Sequence, residues 1–137
     1  LFGKNLQDIS GAGAAGGLGA GSVLFLNAQL KSGTQLIKSI ARFDEAVHDA
    51  EWIVTGEGKI DEQTFSGKVI NGVIESRTNQ RLAVFCGISD LTEDQKKNYN
   101  IDFLAEIIDQ AEGIEDSIKN ASKYLEKEAE RFAKLYL

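Results

Sequence analysis

The chain has 137 residues, of which 42% are hydrophobic and 26% are charged, and its formal net charge is −6. Such a composition is typical of a globular protein, and the length suffices for one domain with a real core. The negative charge argues against non-specific nucleic-acid binding, which requires a basic face. Because no apolar run is long enough to span a bilayer, no membrane partner is expected.

The only cysteine, Cys86, lies within the apolar run 82–86 and is expected to be a small buried residue rather than a nucleophile. A reducing, cytoplasmic setting fits this use of cysteine. Since the chain begins at Leu1 and contains no methionine, we expect it to be one part of a longer protein.

The first third of the chain predicts helices. A run made almost entirely of glycine and alanine covers residues 11–21, and the apolar residues 22–30 predict a buried helix. A second helix is predicted from residue 32 or 34 to about 42, capped by a hydroxyl side chain. Its inward face would carry Leu36, Ile37 and Ile40.

The rest of the chain alternates between strands and helices. The predicted strands cover residues 52–55, 82–87 and 102–108. The predicted helices cover residues 68–78, 93–99 with Thr92 as the N-cap, and 114–137. Strands separated by helices predict an α/β fold with a parallel sheet, in which ligands bind beyond the carboxyl ends of the strands.

The last predicted helix, 114–137, is amphipathic. Apolar residues at helical spacing predict one inward face, formed by Ile118, Ala121, Leu125, Ala129 and Phe132. Its acidic residues, Glu128 among them, are expected on the solvated side.

Gly11, Gly13 and Gly16 form a G-x-G-x-x-G pattern. Its surroundings argue against a dinucleotide fingerprint, since no strand is predicted before it and no acid follows about 20 residues later. Two interpretations stay open: a loop that binds an anion at the start of the next helix, and close helix packing through small residues.

Residues 55–68 follow a predicted strand and carry an unusual set of polar groups. Glycines allow close backbone approach, lysines such as Lys59 and Lys68 neutralise phosphate, and carboxylates such as Glu57 and Asp61 bind magnesium or accept a proton. This combination indicates a phosphoryl-transfer site, although a solvated surface loop is the alternative. It is not a Walker A loop, because Val69 stands where that motif requires Ser or Thr.

Two further polar residues, Ser89 and Asp90, follow the second predicted strand. They would reach a ligand at the same edge of the sheet, but an ordinary helix start is the favoured interpretation.

Three segments resemble the bacterial type I glycerate kinase family. They are the glycine-rich run 11–21, residues 43–64 with the string Thr-Gly-Glu-Gly-Lys-Ile-Asp-Glu-Gln-Thr at 55–64, and Gly67-Lys68 with Gly72-Val73. The family pattern is close to T-G-E-G-[RK]-x-D-x-Q-T-x-x-G-K-x-P-x-G-V. Ile70 stands where this pattern has proline, and Ile88 interrupts a more usual Gly-Ser.

The resemblance implies ATP-dependent phosphorylation of D-glycerate with Mg²⁺, usually on the 2-hydroxyl to give 2-phosphoglycerate. It implies a fold of two α/β domains with the site between them. Residues 1–30 would be the glycine-rich crossover segment, and residues 31–137 the C-terminal part of a Rossmann-like domain. The remaining N-terminal part of the same protein would be a partner of this chain, and the isolated chain is expected to be inactive.

The resemblance and the chemistry of the residues together give a predicted site. Asp61 and Glu57 would serve magnesium or the hydroxyl proton, and Lys59 and Lys68 would contact phosphate or the glycerate carboxylate. The predicted substrate and phosphate contacts are Gly13, Gly16, Gly17, Gly56, Gly58, Gln63, Thr64 and Gly67. The alternative is a non-catalytic ligand-binding or assembly module that retains this string, and homodimer formation is left open.

Overall fold

A computed structural model describes residues 5, 6, 8–61, 64 and 69–137 of the chain. The chain separates into two compact units, Leu1–Ala41 and Arg42–Leu137. Across the described residues, the helices are all too short or too polar to cross a membrane.

The first unit contains two helices, α1 (Ala14–Leu26) and α2 (Gly33–Ala41). The prediction that a helix covers residues 22–30 was wrong at both ends. Helix α1 already includes much of the glycine-rich run, and it ends at Asn27, whose left-handed backbone directs its N–H to the carbonyl of Ser22. Most side chains of α1 are not buried within the chain, and Phe25 and Leu26 retain 70% and 77% of their accessible surface.

The predicted inward face of α2 is also exposed. No residue of this helix is buried, and the exposed fractions are 47% for Leu36, 65% for Ile37 and 72% for Ile40. The amphipathic pattern therefore predicted the helix, but the residues that the structure describes do not bury its apolar side.

The second unit is built on a parallel sheet with the order β1–β2–β3. Its strands are β1 (Trp52–Ile60), β2 (Arg81–Ser89) and β3 (Phe103–Glu106), the last followed by a 3₁₀ turn, Ile107–Gln110. The helices are α3 (Phe43–Ala46), α4 (Val69–Ser76), α5 (Glu93–Asn98), α6 (Ile114–Lys119) and α7 (Ala121–Tyr136). The predicted α/β fold with flanking helices is confirmed.

Alternate residues of β2 point to opposite sides of the sheet, as strand geometry requires. Leu82, Val84 and Cys86 belong to one core cluster, whereas Ala83 and Phe85 belong to the other. The first cluster also contains Ile53, Ile60, Ile70, Val73 and Leu91. The second takes Phe103, Ala105 and Phe132, with Trp52 packed against it. Each side of β2 is thus buried, as expected of a central parallel strand.

Two local predictions had contrasting outcomes. The Thr92 cap is confirmed: its hydroxyl accepts the Gln95 backbone N–H, and the Gln95 side chain accepts the Thr92 backbone N–H, which is a capping box. The single helix over 114–137 was wrong, because the chain breaks at Asn120 into α6 and α7.

The predicted inward face of that helix was also largely wrong. Tyr124, Glu128 and Phe132 are buried, whereas Ile118 and Leu125 are 73% and 45% exposed. Glu128 is buried because its carboxylate is fully engaged, accepting hydrogen bonds from the Gln110 amide and the Arg131 guanidinium.

Candidate functional site

The string predicted as a loop is mostly a strand. Strand β1 continues through the glycines to Ile60, and its parallel ladder with β2 pairs Gly56 with Phe85 and Lys59 with Ile88. The prediction that the strand ends at residue 55 was therefore wrong. A strand fixes the direction of each side chain more strictly than a loop does, which favours a preorganised site.

Two glycines allow the carboxyl halves of β1 and β2 to approach closely. A Cβ atom on Gly56 would lie 2.7 Å from the carbonyl oxygen of Phe85, and one on Gly87 would lie 2.3 Å from the carbonyl oxygen of Gly58. Real Cβ atoms do not approach backbone oxygens so closely. Gly56 and Gly87 are thus required by strand packing. By contrast, a Cβ on Gly58 would meet nothing within 4 Å among the described residues.

Lys59 and Asp90 form an ion pair across the carboxyl ends of β1 and β2. The distance from Lys59 Nζ to Asp90 Oδ2 is 2.6 Å, and both side chains are about half exposed. The hydrogen bond to Asp90 and the charge of Asp90 raise the pKa of Lys59, with a smaller contribution from Asp61. Lys59 therefore remains a cation and is held at the edge where a parallel sheet binds its ligands.

Asp61 and Thr64 close a tight turn directly after β1. The Thr64 N–H donates to Asp61 Oδ1 at 3.2 Å, and the Asp61 N–H donates to Thr64 Oγ1 at 3.1 Å. The Thr64 side chain is fully buried, so in this structure its hydroxyl stabilises the turn. Of the other predicted residues of this segment, Gln63, Gly67 and Lys68 lie outside the described residues.

Strand β1 around Glu57 forms one wall of a cleft on the α7 side of the sheet. The cleft has a volume of about 840 Å³ and lies between the carboxyl halves of β1 and β2 and the helices α6 and α7. Neither Lys59 nor Asp61 belongs to its lining. Glu57 pairs with Cys86, whose side chain belongs to the core cluster on the other side of the sheet, so the Glu57 side chain points away from α7. Asp61 lies in the turn that follows the strand.

The described carboxylates do not form a magnesium site by themselves. Within the described ranges, no three His, Cys, Asp or Glu side chains cluster closely enough to hold a metal ion. Mg²⁺ is commonly bound through one or two carboxylates, with substrate phosphates and water completing its octahedron. The prediction that Asp61 and Glu57 serve magnesium stays a prediction, and in that mode a nucleotide would bring the ion.

The glycine-rich run forms the start of α1 instead of a loop before it. Gly13 is the N-cap, and Ala15, Gly16 and Gly17 have φ values of 50°, 66° and 95°, which interrupts the helix. The described residues before Gly11 form turns and no strand, so the surroundings of a dinucleotide fingerprint are missing there. The predicted anion contacts at Gly13, Gly16 and Gly17 stay predictions.

One carboxylate at the edge of the sheet escaped the sequence analysis. Glu106, the last residue of β3, accepts the Ser89 N–H at 2.8 Å. For Asp90, a ligand contact was considered but a helix start was the favoured interpretation, and in the structure it is the partner of Lys59. The position of Asp90 after the second predicted strand was a signal for its place at this edge. Glu106 lay inside the predicted strand 102–108, so its place at the end of β3 needed the structure.

Comparisons with known proteins indicate the family of this chain. The sequence model of the glycerate kinase family matches residues 1–137. The chain belongs to the glycerate kinase family. A glycerate kinase of Bacillus subtilis (strain 168) is 35% identical over 134 residues, which cover 96% of this chain and 35% of the relative. A glycerate 2-kinase of Escherichia coli (strain K12) is 40% identical over 90 residues, covering 66% of this chain and 24% of the relative.

A crystal structure from Salmonella typhimurium LT2, provisionally named glycerate kinase 2, is 28% identical, with a TM-score of 0.47 over 88% of this chain and 34% of that one. The chain thus spans about a third of the length of the glycerate kinases that it matches.

The departure from the family pattern at Ile70 has a structural reason within this chain. Ile70 is fully buried in the core cluster that faces α4. A proline at the start of α4 would restrict the backbone. Ile70 instead anchors this turn because its side chain is buried, which stabilises the fold by about 1.5–3 kcal/mol.

Proposed function

We propose that the protein of which this chain is a part transfers the γ-phosphoryl group of ATP to D-glycerate, with Mg²⁺, and that the product is 2-phosphoglycerate. Family membership supports the reaction class. The observation that carries the proposal is the position of the family string on the carboxyl half of β1, with Lys59 and Asp61 at the ligand-binding edge of a parallel sheet.

Phosphoryl transfer needs alignment and charge neutralisation more than covalent chemistry. In the proposed mechanism, Lys59 and Lys68 stabilise the charge on phosphate or the glycerate carboxylate. Lys59 is already oriented by Asp90, so little side-chain freedom is lost when an anion binds beside it. Asp61 accepts the proton of the attacking hydroxyl, and Asp61 and Glu57 contact the magnesium that arrives with ATP.

The remaining predicted contacts are mainly backbone groups. Close approach of a phosphate or glycerate is proposed along the described glycines Gly13, Gly16, Gly17, Gly56 and Gly58, and beyond the turn at Thr64, where Gln63 and Gly67 belong to the same string. Magnesium neutralises the phosphate charge when it is bound. We also propose that the protein is cytoplasmic. In the full-length protein, this chain would pack with the remaining N-terminal part.

The test is ADP release by the full-length protein with ATP, magnesium and D-glycerate, against a reaction without glycerate. Release that depends on glycerate is the expected result, and phosphorus NMR of the product identifies the phosphorylated hydroxyl. A folded, full-length protein that releases no ADP in response to glycerate would contradict the proposal.

A second candidate is a non-catalytic binding or assembly module. The observation that favours it is length, since the chain spans about a third of its relatives. The two candidates make opposite predictions for the full-length protein in the ADP assay. For the 137-residue chain alone, we predict no activity, and glycerate phosphorylation by that chain would contradict this prediction.

A further inference from the structure

The ion pair of Lys59 and Asp90 differs in kind from two other lysine ion pairs of the chain. Lys96 with Glu93, and Lys134 with Glu130, each lie within one helix, three or four residues apart. Lys59 and Asp90 come instead from the ends of two neighbouring strands, with 2.6 Å between Nζ and Oδ2. The pair therefore joins β1 to β2 at the edge where a parallel sheet binds its ligands.

The backbone of Asp90 is held in place independently of its side chain. Its N–H donates to the Ile60 carbonyl oxygen at 2.9 Å. Beside it, the Ser89 N–H donates to the Glu106 carboxylate at 2.8 Å. The Leu91 N–H donates to Ser89 Oγ at 3.2 Å, and the Leu91 side chain is buried in the core. The turn after β2 is thus tied to both neighbouring strands and presents the Asp90 carboxylate from a fixed backbone.

Lys59 benefits from a fixed partner because lysine is a long and flexible side chain. About half of its surface is exposed, so packing alone does not hold it. An anion that binds to a free lysine has to immobilise the whole side chain, which weakens binding. Asp90 removes this penalty before the substrate arrives.

The charge of Asp90 rules out a simpler electrostatic purpose. A carboxylate beside an anion-binding lysine weakens the attraction for ATP and glycerate by its charge alone. A half-exposed ion pair also contributes little to stability. We infer that Asp90 is a positioning residue for Lys59, and that Glu106 holds the turn from which Asp90 acts. The inference rests on the proposed phosphoryl transfer, in which Lys59 contacts an anionic group.

The first test is a double-mutant cycle on the kinetics of the full-length enzyme. Asp90→Ala should lower kcat/KM by about tenfold, the loss expected when substrate binding has to immobilise one long side chain. In a Lys59→Ala background, the same substitution should have no further effect, because Asp90 acts through Lys59. Asp90→Asn retains an oxygen that accepts a hydrogen bond from the amine and should recover part of the loss.

The matched control for charge is Asp94→Ala, which removes one exposed carboxylate from α5, the helix that follows the turn. It should leave kcat/KM unchanged. A kcat/KM of Asp90→Ala that equals or exceeds the wild-type value would overturn the inference, since Asp90 would then act on the substrate anions by charge alone. A tenfold loss that persists in the Lys59→Ala background would also overturn it.

Glu106 is tested by a pair of substitutions. Glu106→Ala leaves the Ser89 N–H without its acceptor and should lower kcat/KM by about threefold, less than Asp90→Ala, because the Ile60 contact of the turn remains. Glu106→Gln retains an acceptor oxygen and should restore the wild-type value. Equal losses in Glu106→Ala and Glu106→Gln would contradict the role of Glu106 as the acceptor that holds the turn.

The second test needs no turnover, so it separates a failure of this inference from a failure of the proposed reaction. Acetic anhydride reacts with the neutral form of an amine, and peptide mass spectrometry gives the acetylation rate of each lysine in the full-length protein. Asp90 raises the pKa of Lys59 through a hydrogen bond and its charge. Asp90→Ala should therefore accelerate acetylation of Lys59 relative to the exposed Lys97 on α5, whereas Asp94→Ala should not.

An unchanged ratio of the two acetylation rates in Asp90→Ala would overturn the inference even in an enzyme that phosphorylates glycerate, because Asp90 would then not hold the amine. A raised ratio in a full-length protein that does not respond to glycerate would support Asp90 as the residue that holds Lys59. That result would contradict the proposed reaction alone.

Discussion

The two glycine-rich segments of this protein have similar compositions but different physical reasons for their glycines. In α1, Gly16 and Gly17 have positive φ values, and only Gly19 is held by a close backbone contact. In the sheet, Gly56 and Gly87 are extended and are required because two strands approach closely. Charged side chains accompany the glycines only in the sheet. The comparison teaches that glycine content alone does not identify a ligand loop.

The largest expected effect is on stability. Gly87→Ala should lower the free energy of unfolding by about 3 kcal/mol, because its Cβ would lie 2.3 Å from the Gly58 carbonyl oxygen and the strands must separate. Urea unfolding monitored by circular dichroism measures the change. Gly58→Ala, on the same ladder but with an open Cβ position, is the control and should change stability by less than about 0.5 kcal/mol. Equal effects of both substitutions would show that strand approach is not the reason for Gly87.

The next effect is on catalysis, at the polar end of the same strand. Asp61→Asn in the full-length protein should lower turnover by about a hundredfold or more, as expected for the loss of an acid–base group. Asparagine retains the Oδ1 acceptor that the Thr64 N–H uses, so the turn after β1 should survive. Steady-state kinetics measures the loss, and unchanged thermal unfolding is the control for folding. Near-normal turnover would remove Asp61 from the proposed mechanism.

Much of the fold was predictable because its signals are local. The alternation of apolar runs with helical patterns predicted the parallel sheet, and Thr92 as an N-cap predicted the start of α5. The continuation of β1 through Gly56 and Gly58 was not predictable in this way. It depends on pairing with β2, about 29 residues later in the chain, and a polar string rich in glycine has the local composition of a loop.

The helix faces were the least predictable feature. Ile118 and Leu125 fit an apolar face at helical spacing as well as Tyr124 and Phe132 do, but only the second pair is buried. The break at Asn120 and the position of α7 over Phe85 and Phe103 decide which face is inward. For the candidate site, the sequence alone showed which polar residues the family string contains. The Lys59–Asp90 ion pair could not be predicted, because it depends on the register between β1 and β2.

A third experiment addresses the packing glycine of α1. Gly19→Ala should destabilise the first unit by about 2 kcal/mol, since its Cβ would lie 2.4 Å from the Gly11 carbonyl oxygen. Gly21→Ala on the same helix is the matched control; its Cβ has room, and alanine should stabilise the helix by up to about 1 kcal/mol. Hydrogen exchange of the α1 amides measures both changes. Faster exchange in both variants would contradict the packing explanation.

The smallest effect concerns the left-handed residues. Gly16→Ala should cost about 1 kcal/mol, because a side chain at φ 66° is strained even though its Cβ would meet nothing within 4 Å. Gly16→Asn should cost less, since asparagine tolerates the left-handed region better than alanine does. The same amide exchange measurement compares them. If alanine and asparagine cost the same, the backbone relaxes at this position and the left-handed turn is not what requires glycine. If asparagine restores stability but full-length turnover still falls, the anion-contact interpretation of Gly16 gains support, because a side chain that the fold accepts would then be obstructing a ligand.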